Sequence, residues 1–547
     1  MKIAIAQINP KVGDIEGNTR LVETFARRAA SAGADLAVFP ELALTGYPPL
    51  DLLERKDFID ANLRALRRLA ALRLRTALAV GFADRNPAGK GKALLNSVAL
   101  LHSGRIAEKR VKSLLPTYDI FDEARYFEPA AENKPLDFRG TALGLTVCED
   151  IWAGTSLLPS RLLYRNDPVS TLRAAKTSVV INISASPFYK GKSEKRLKIL
   201  SALARRLNAF IIYVNQAGAN DELIFDGNSF ALSPSGRVLA KAAAFAEDLL
   251  IIDTDEAARP GAAPADNSDG EICAALTLGI RDYFGKLGFK KAVLGLSGGI
   301  DSAVVAALAA RALGPANVTG VLMPSVYTSR RSNADARRLA GNLGIKTLTL
   351  PIKNINSAFL KELRCGGAGG KVSLTMQNLQ SRIRGTLLMA LANEHNWLTL
   401  TTGNKSEIAM GYCTLYGDTA GALGPIADLL KTEVYRLADF LNSSGEVIPR
   451  AIIRRPPSAE LKPGQKDQDD LPPYAVLDRI LKLYVEENRG AAEIIRKGFK
   501  ADLVRGILRR IESNEYKRKQ LPIGLKVTEK SFGAGRKMPI VKASACQ

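Results

Sequence analysis

The sequence predicts an α/β protein built of two units in series, and three observations carry that prediction. Short apolar runs alternate with helical stretches along the whole chain, the rhythm of strands covered by helices. At 547 residues the chain is longer than one ordinary core serves. Near its middle the stretch Ala257-Ala258-Arg259-Pro260-Gly261-Ala262-Ala263-Pro264 has no periodicity and reads as a linker. The expected division is residues 1–256, a linker over 257–268, and residues 269–547.

Taken in order, Ile3 to Ile8 and Leu36 to Phe39 read as buried strands, with an amphipathic helix over Leu21 to Ala32 between them. Further apolar strands follow at Thr76 to Phe82, Ser97 to Leu101, Ala142 to Val147, Ser178 to Ile183, Phe210 to Val214 and Leu249 to Ile252. Beyond the linker the pattern restarts with a helix through Ile272 to Leu287 and a strand at Ala292 to Leu296. Strands at Val318 to Met323, Lys346 to Leu350 and Trp397 to Thr401 continue it. Strands separated by helices in this way predict a doubly wound parallel sheet.

Composition narrows the function. Apolar content of 46% with 24% charged residues belongs to a folded, water-soluble chain. No apolar run reaches the roughly 18 residues of a membrane span, so no membrane partner is expected. Residues 1–7 lack the h-region of a signal peptide and read as a strand. Five scattered cysteines without a CxxC pair point to a reducing, cytoplasmic setting. The net charge of +22 is spread along the chain without a Lys/Arg block; it suits small anionic substrates and does not require nucleic acid.

The only histidines are His102 and His395. A histidine-activated nucleophile in the first unit would have to use His102, which sits at a strand end before a Ser-Gly turn, a poor place for a general base. If Cys148 is a nucleophile, carboxylates and lysines must activate it. Cys148 ends the run Ala142 to Val147 and is followed by Glu149-Asp150-Ile151-Trp152. Phe39-Pro40-Glu41 ends another strand with one carboxylate, and Lys112 precedes a Pro-bounded turn rich in aromatics.

These three segments resemble the Glu-Lys-Cys triad of the nitrilase superfamily, and the resemblance implies an α-β-β-α sandwich for the first unit. It also implies roles. Glu41 acts as general base and then acid. Lys112, with a backbone N–H, stabilises the oxyanion, and Cys148 forms a thioester. Tyr118, Glu149, Ser186 and Lys192 would bind glutamine; relatives commonly carry Arg where Lys192 stands. The segment between Trp152 and Ser178 has no counterpart in the family pattern.

In the second unit Ser297-Gly298-Gly299-Ile300-Asp301-Ser302 lies between a strand and a helix. Glycines there let the backbone approach an oxyanion, and the helix start presents free N–H groups. Ser297 and Ser302 add hydroxyls, and Asp301 can hold Mg²⁺. The segment resembles the SGGxDS signature of ATP pyrophosphatases and implies a Rossmann-like, adenine nucleotide α-hydrolase-like sheet. Gln377-Asn378-Leu379-Gln380-Ser381-Arg382, Thr402-Gly403-Asn404-Lys405-Ser406-Glu407, Leu415-Tyr416-Gly417-Asp418, Lys431-Thr432-Glu433, Pro456-Pro457-Ser458 and Glu515-Tyr516-Lys517 extend it. Together the two halves are similar to the family of glutamine-dependent NAD⁺ synthetases over almost the entire chain. The likeness implies that Ser297, Gly298, Gly299, Asp301, Ser302, Arg382 and Thr402 bind ATP. It implies that Asn378, Glu407, Asp418, Lys431, Ser458 and Lys517 bind deamido-NAD⁺, and that Asp301 and Glu407 hold Mg²⁺. Homo-oligomers and direct transfer of ammonia between the two activities are further expectations. The alternatives are another glutamine-fed ATP pyrophosphatase, a tRNA-modifying relative, and a scaffold without activity.

Overall fold

Along the strand Lys2–Gln7 successive side chains turn to opposite faces, and both faces are apolar. Ile3 and Ile5 pack with Val147, Val179 and Ile181 of a second sheet, whereas Ala4 and Ala6 pack with Val22, Phe25 and Leu66 of two helices. A strand buried on both faces has to lie inside a layered stack. Here two six-stranded sheets face each other. The first runs, in spatial order, Asp248–Asp253, Lys2–Gln7, Leu36–Val38, Ala77–Arg85, Leu94–His102, Arg105–Val111. The second runs Val238–Lys241, Phe230–Leu232, Phe210–Asn215, Val179–Ser184, Thr141–Val147, Leu136–Phe138. Helices Ile15–Ser31 and Lys56–Ala70 cover the first sheet, and Lys192–Leu207 covers the second. The first unit is the α-β-β-α sandwich.

The computed structural model describes residues 1–152, 164, 166–255, 268–365 and 372–543. Its two compact units are Met1–Asp266 and Asn267–Gln547. Of the expected linker, 257–267 lies outside the described residues, and Ser268 already opens the helix Ser268–Leu287. The helix expected from Leu21 begins at Ile15, because Asp14 caps it by accepting the Gly17 N–H at 2.8 Å. The strand Arg105–Val111 was not expected at all. Its side chains are exposed or half-buried, and it is held by backbone pairing to Leu94–His102, so no apolar run marks it.

In the second unit four parallel strands lie in the order Lys346–Thr349, Val318–Leu322, Ala292–Gly295, Leu398–Thr399. The strand that comes first in the chain sits between the second and the fourth. Winding therefore reverses beside Ala292–Gly295, and a crevice opens at the carboxyl ends of Ala292–Gly295 and Leu398–Thr399. Val293 and Val321 pack against the helix Leu374–His395. The helix Ile300–Leu313 packs on Ser268–Leu287 and Val318–Leu322. The fourth strand is shorter than the expected Trp397 to Thr401, because Leu400 bridges to Leu423 and the Thr401 N–H donates to the Leu423 carbonyl at 2.9 Å. No described helix is long and apolar enough to cross a membrane.

Candidate functional site

Strand exits of the two facing sheets deliver the charged groups of the first unit into the core. Glu41, just beyond Leu36–Val38, is fully buried. Its Oε1 accepts from Lys112 Nζ and from Asn96 Nδ2, each at 2.7 Å, and its Oε2 accepts from the Ala185 N–H at 3.0 Å. The strand beside it bears glycine at position 81. A Cβ there would stand 2.3 Å from the Pro40 carbonyl oxygen and 2.8 Å from Glu41 Cα, so any side chain would displace the carboxylate.

Lys112 is sealed from solvent, and its Nζ also donates to both oxygens of Glu123 at 2.8 Å. Burial works against that ammonium, but Glu123 and Glu41 outweigh it and hold the lysine well above its usual range. Glu123 also accepts from Tyr47 Oη at 2.9 Å. Burial pushes its carboxyl up, with Lys112 opposing and Glu41 adding to the rise. Neither Glu123, Asn96 nor Tyr47 was singled out from sequence. Glu123 lies in the aromatic turn after Lys112, eleven residues on, where no spacing rule marks it.

Cys148 starts the short helical turn Cys148–Ile151 with φ of +41°. Its carbonyl accepts from Asn182 Nδ2 at 3.2 Å. Burial, then the charge of Glu41, pushes the thiol well above its ordinary range, while Lys112 pulls the other way. The thiol is therefore protonated at rest, and a base must take its proton. Next to it, the buried Glu149 accepts from Tyr118 Oη at 2.9 and 3.1 Å and from Tyr164 Oη at 2.9 Å. Tyr164 comes from the segment after Trp152 that had no family counterpart. The Ser186 N–H donates to Asn215 Oδ1 at 2.8 Å, and Lys192 Nζ donates to the Pro187 carbonyl at 2.6 Å. Burial raises the Glu149 carboxyl, against the charge of Lys112, the two tyrosine hydrogen bonds and the charge of Lys192. His102 has no part in this: it closes its strand with its ring edge-on to Phe138, 6.2 Å between centroids.

The second unit gathers its charges at the sheet crevice. The Ser297 and Ser302 hydroxyls lie 3.0 Å apart, and Ser297 Oγ accepts the Gly299 N–H at 3.2 Å. Gly298 has φ of +78°, and a Cβ on it would lie 2.3 Å from the Ser332 carbonyl oxygen; the position tolerates only glycine. Asp301 Oδ2 accepts from Lys431 Nζ at 2.5 Å, and Glu407 Oε1 stands 3.2 Å from the same nitrogen. Asn404, from the exit of the fourth strand, donates to Asp301 Oδ1 at 2.9 Å and caps the helix Lys405–Met410 that carries Glu407. Burial raises the Glu407 carboxyl to about 8 against the pull of Lys431. Thr402 stands half-buried at the same exit.

A second group surrounds Asp418. Its Oδ1 accepts from Ser381 Oγ at 3.0 Å and from the Thr414 N–H at 2.8 Å, and Thr414 Oγ1 donates to Asn378 Oδ1 at 2.9 Å. Lys517 Nζ donates to the Gly411 and Cys413 carbonyls at 2.8 and 2.9 Å. Arg382 is exposed, with its Nε on the Leu415 carbonyl at 3.3 Å. Ser458 Oγ donates to the Gln465 carbonyl at 2.6 Å and so shapes its own loop. That loop rests beside the Ser297–Ser302 turn: Arg455 donates to Ser332 Oγ at 2.8 Å, and Ser332 donates to Glu460 at 2.8 Å. Asn404, Arg455 and Glu460 were not singled out from sequence.

Comparison with known proteins agrees with both halves. Residues 272–521 match the family model described as NAD synthase, and residues 2–261 match the one described as carbon-nitrogen hydrolase. The glutamine-dependent NAD(+) synthetase of Synechocystis sp. is 44% identical, covering 99% of this chain and 98% of its own. That of Thermotoga maritima is 41% identical with the same coverage. The glutamine-dependent NAD+ synthetase of Acinetobacter baumannii, solved with adenosine diphosphate, matches with a TM-score of 0.78 at 38% identity, covering 100% of this chain and 99% of that one. By sequence identity, coverage and fold, the chain belongs to the glutamine-dependent NAD(+) synthetases.

Proposed function

We propose that this chain converts deamido-NAD⁺, ATP and glutamine into NAD⁺, AMP, diphosphate and glutamate, with Glu41, Lys112 and Cys148 as the amidase triad. The observation that supports it most is the sealed Glu41–Lys112 contact of 2.7 Å, with Cys148 feeling both charges, in a chain that family relatives match end to end.

In the first unit Glu41 takes the thiol proton of Cys148, and the sulfur attacks the side-chain amide carbon of glutamine. Lys112 and a backbone N–H stabilise the oxyanion. Glu41 returns the proton to the departing ammonia, and water then cleaves the thioester to give glutamate. Tyr118, Glu149, Ser186 and Lys192 hold the substrate's α-amino and α-carboxylate groups, with Tyr164 supporting Glu149.

In the second unit the nicotinate carboxylate of deamido-NAD⁺ attacks the α-phosphorus of ATP and diphosphate leaves. Ammonia then displaces AMP to form the amide. Ser297, Gly298, Gly299, Ser302, Arg382 and Thr402 bind ATP, while Asn378, Asp418, Lys431, Ser458 and Lys517 contact the dinucleotide. Mg²⁺ takes one or two carboxylates together with substrate phosphates and water. Asp301 and Glu407 converge on one cationic nitrogen, Lys431 Nζ, so their donor set fits the ion, which when bound neutralises phosphate charge. A homo-oligomer in a reducing cytoplasm completes the reading, and light scattering tests the assembly.

The test is NAD⁺ formation from deamido-NAD⁺, ATP and Mg²⁺, with glutamine or ammonium as nitrogen source, in wild type and Cys148→Ala. The expected result is that wild type uses both sources and the variant uses ammonium alone. No NAD⁺ from wild type with either source would overturn the proposal.

A further inference from the structure

Asp150 takes no part in the chemistry above, yet it is fully buried two residues after Cys148. Its carboxylate accepts three hydrogen bonds, all from backbone. Oδ1 accepts the Ser113 and Leu114 N–H groups at 2.8 and 2.9 Å, and Oδ2 accepts the Val147 N–H at 3.1 Å. Ser113 and Leu114 directly follow Lys112, and Val147 directly precedes Cys148. The strands that deliver these residues, Arg105–Val111 and Thr141–Val147, belong to different sheets. One side chain therefore ties the exit of each sheet to the other, between two members of the triad.

The same bond addresses a local strain. Cys148 has φ of +41°, a conformation that costs a non-glycine residue free energy unless its surroundings enforce it. By closing on the Val147 N–H, Asp150 locks the turn Cys148–Ile151 that holds this conformation. Three donors require acceptor capacity on both oxygens, which a carboxyl group supplies and an amide does not. An asparagine could keep the Ser113 and Leu114 bonds through its carbonyl, but its NH₂ would then face the Val147 N–H, donor against donor.

We propose that Asp150 is a positioning residue that fixes Cys148 relative to Lys112, and that a carboxyl group held at this reach is required. The proposal rests on the glutamine amidase reading above. Its test uses the full chain as wild type, Cys148→Ala and Asp150→Asn, with steady-state glutamine hydrolysis and ammonium-driven NAD⁺ formation measured on each. Because displacement of a reacting group by about an ångström can cost around 100-fold, kcat for glutamine in Asp150→Asn is expected to fall about 10- to 100-fold. KM for glutamine and the ammonium-driven rate should stay within about threefold of wild type, since the Glu149 pocket and the second unit are untouched. In an Asp150→Asn that folds, an ammonium-driven rate lowered by the same factor as kcat for glutamine overturns the proposal, as does a kcat equal to wild type. If Asp150→Asn does not fold, Asp150→Glu, which keeps the charge and shifts it by one methylene, is measured the same way; wild-type kcat in it overturns the proposal. Wild type that hydrolyses glutamine no faster than Cys148→Ala would instead sink the amidase reading itself.

Discussion

The two charge clusters handle burial in opposite ways. Around Lys112 the ammonium is sealed, and Glu41, Glu123, Tyr47 and Asn96 are tied to one another at hydrogen-bond distance. Around Lys431 the ammonium is equally sealed, but its partners Asp301 and Glu407 each keep 18% of their side-chain surface exposed. A closed cluster suits chemistry whose reacting groups the protein carries itself, with only the amide arriving. A half-open pair suits chemistry whose charges arrive with the ligand, where acceptors must be left over for a metal and phosphates. On the proposed function, the contrast teaches that an identical motif, a buried lysine between two carboxylates, serves as preorganised machinery in one unit and as a receptor in the other.

Variants can break this contrast, and the largest effect belongs to Cys148, the proposed nucleophile. Cys148→Ala should reduce glutamine-driven NAD⁺ formation by about 10⁴-fold or more and leave ammonium-driven formation near wild type, read by NAD⁺ yield. Asp301→Asn should cut formation from both nitrogen sources by about 10²- to 10³-fold, while glutamate release from glutamine persists. If glutamate release fell equally in Asp301→Asn, the clusters would not be independent. Glu123→Gln removes a charged partner from Lys112 and should lower kcat for glutamine by about 10- to 100-fold, the sharpest check that closure matters. Tyr164→Phe deletes one hydrogen bond to Glu149 and should raise KM for glutamine by about three- to tenfold with kcat little changed.

A pH effect sharpens the comparison further. Burial raises the Asp150 carboxyl to about 7, against its three backbone hydrogen bonds. In the unfolded chain it ionises near the ordinary value of about 4. Between those two values the folded state holds an extra proton, so stability falls as pH rises through the window and levels off above about 7. Asp150→Asn should flatten that dependence, as read from urea midpoints at pH 5 and 8; an unchanged difference between the two would contradict the assignment.

Much of this was legible in the sequence for a physical reason. Strands buried on both faces show as unbroken apolar runs, and the exits bearing Glu41, Cys148 and Ser297 stood out as polar residues at the ends of such runs. The strand Arg105–Val111 was not legible, since an edge strand half open to water has no apolar signature. Glu123 was invisible because its role exists only where its turn meets Lys112 in space. Tyr164 lies in a segment for which the sequence reading found no motif, and the need for glycine at position 81 depends on a neighbouring strand that local sequence does not reveal.

The first sheet carries one more consequence. Its second strand in space, Lys2–Gln7, is translated almost 250 residues before its outer neighbour, Asp248–Asp253. Until that late segment leaves the ribosome, the backbone groups on the outer side of Lys2–Gln7 have no ladder partner and offer an open edge to other nascent chains. The amidase unit is thus fastened like a clasp, last piece to first. A ribosome stalled before residue 248 would hold a unit with every proposed site residue synthesised and its sheet still unclosed.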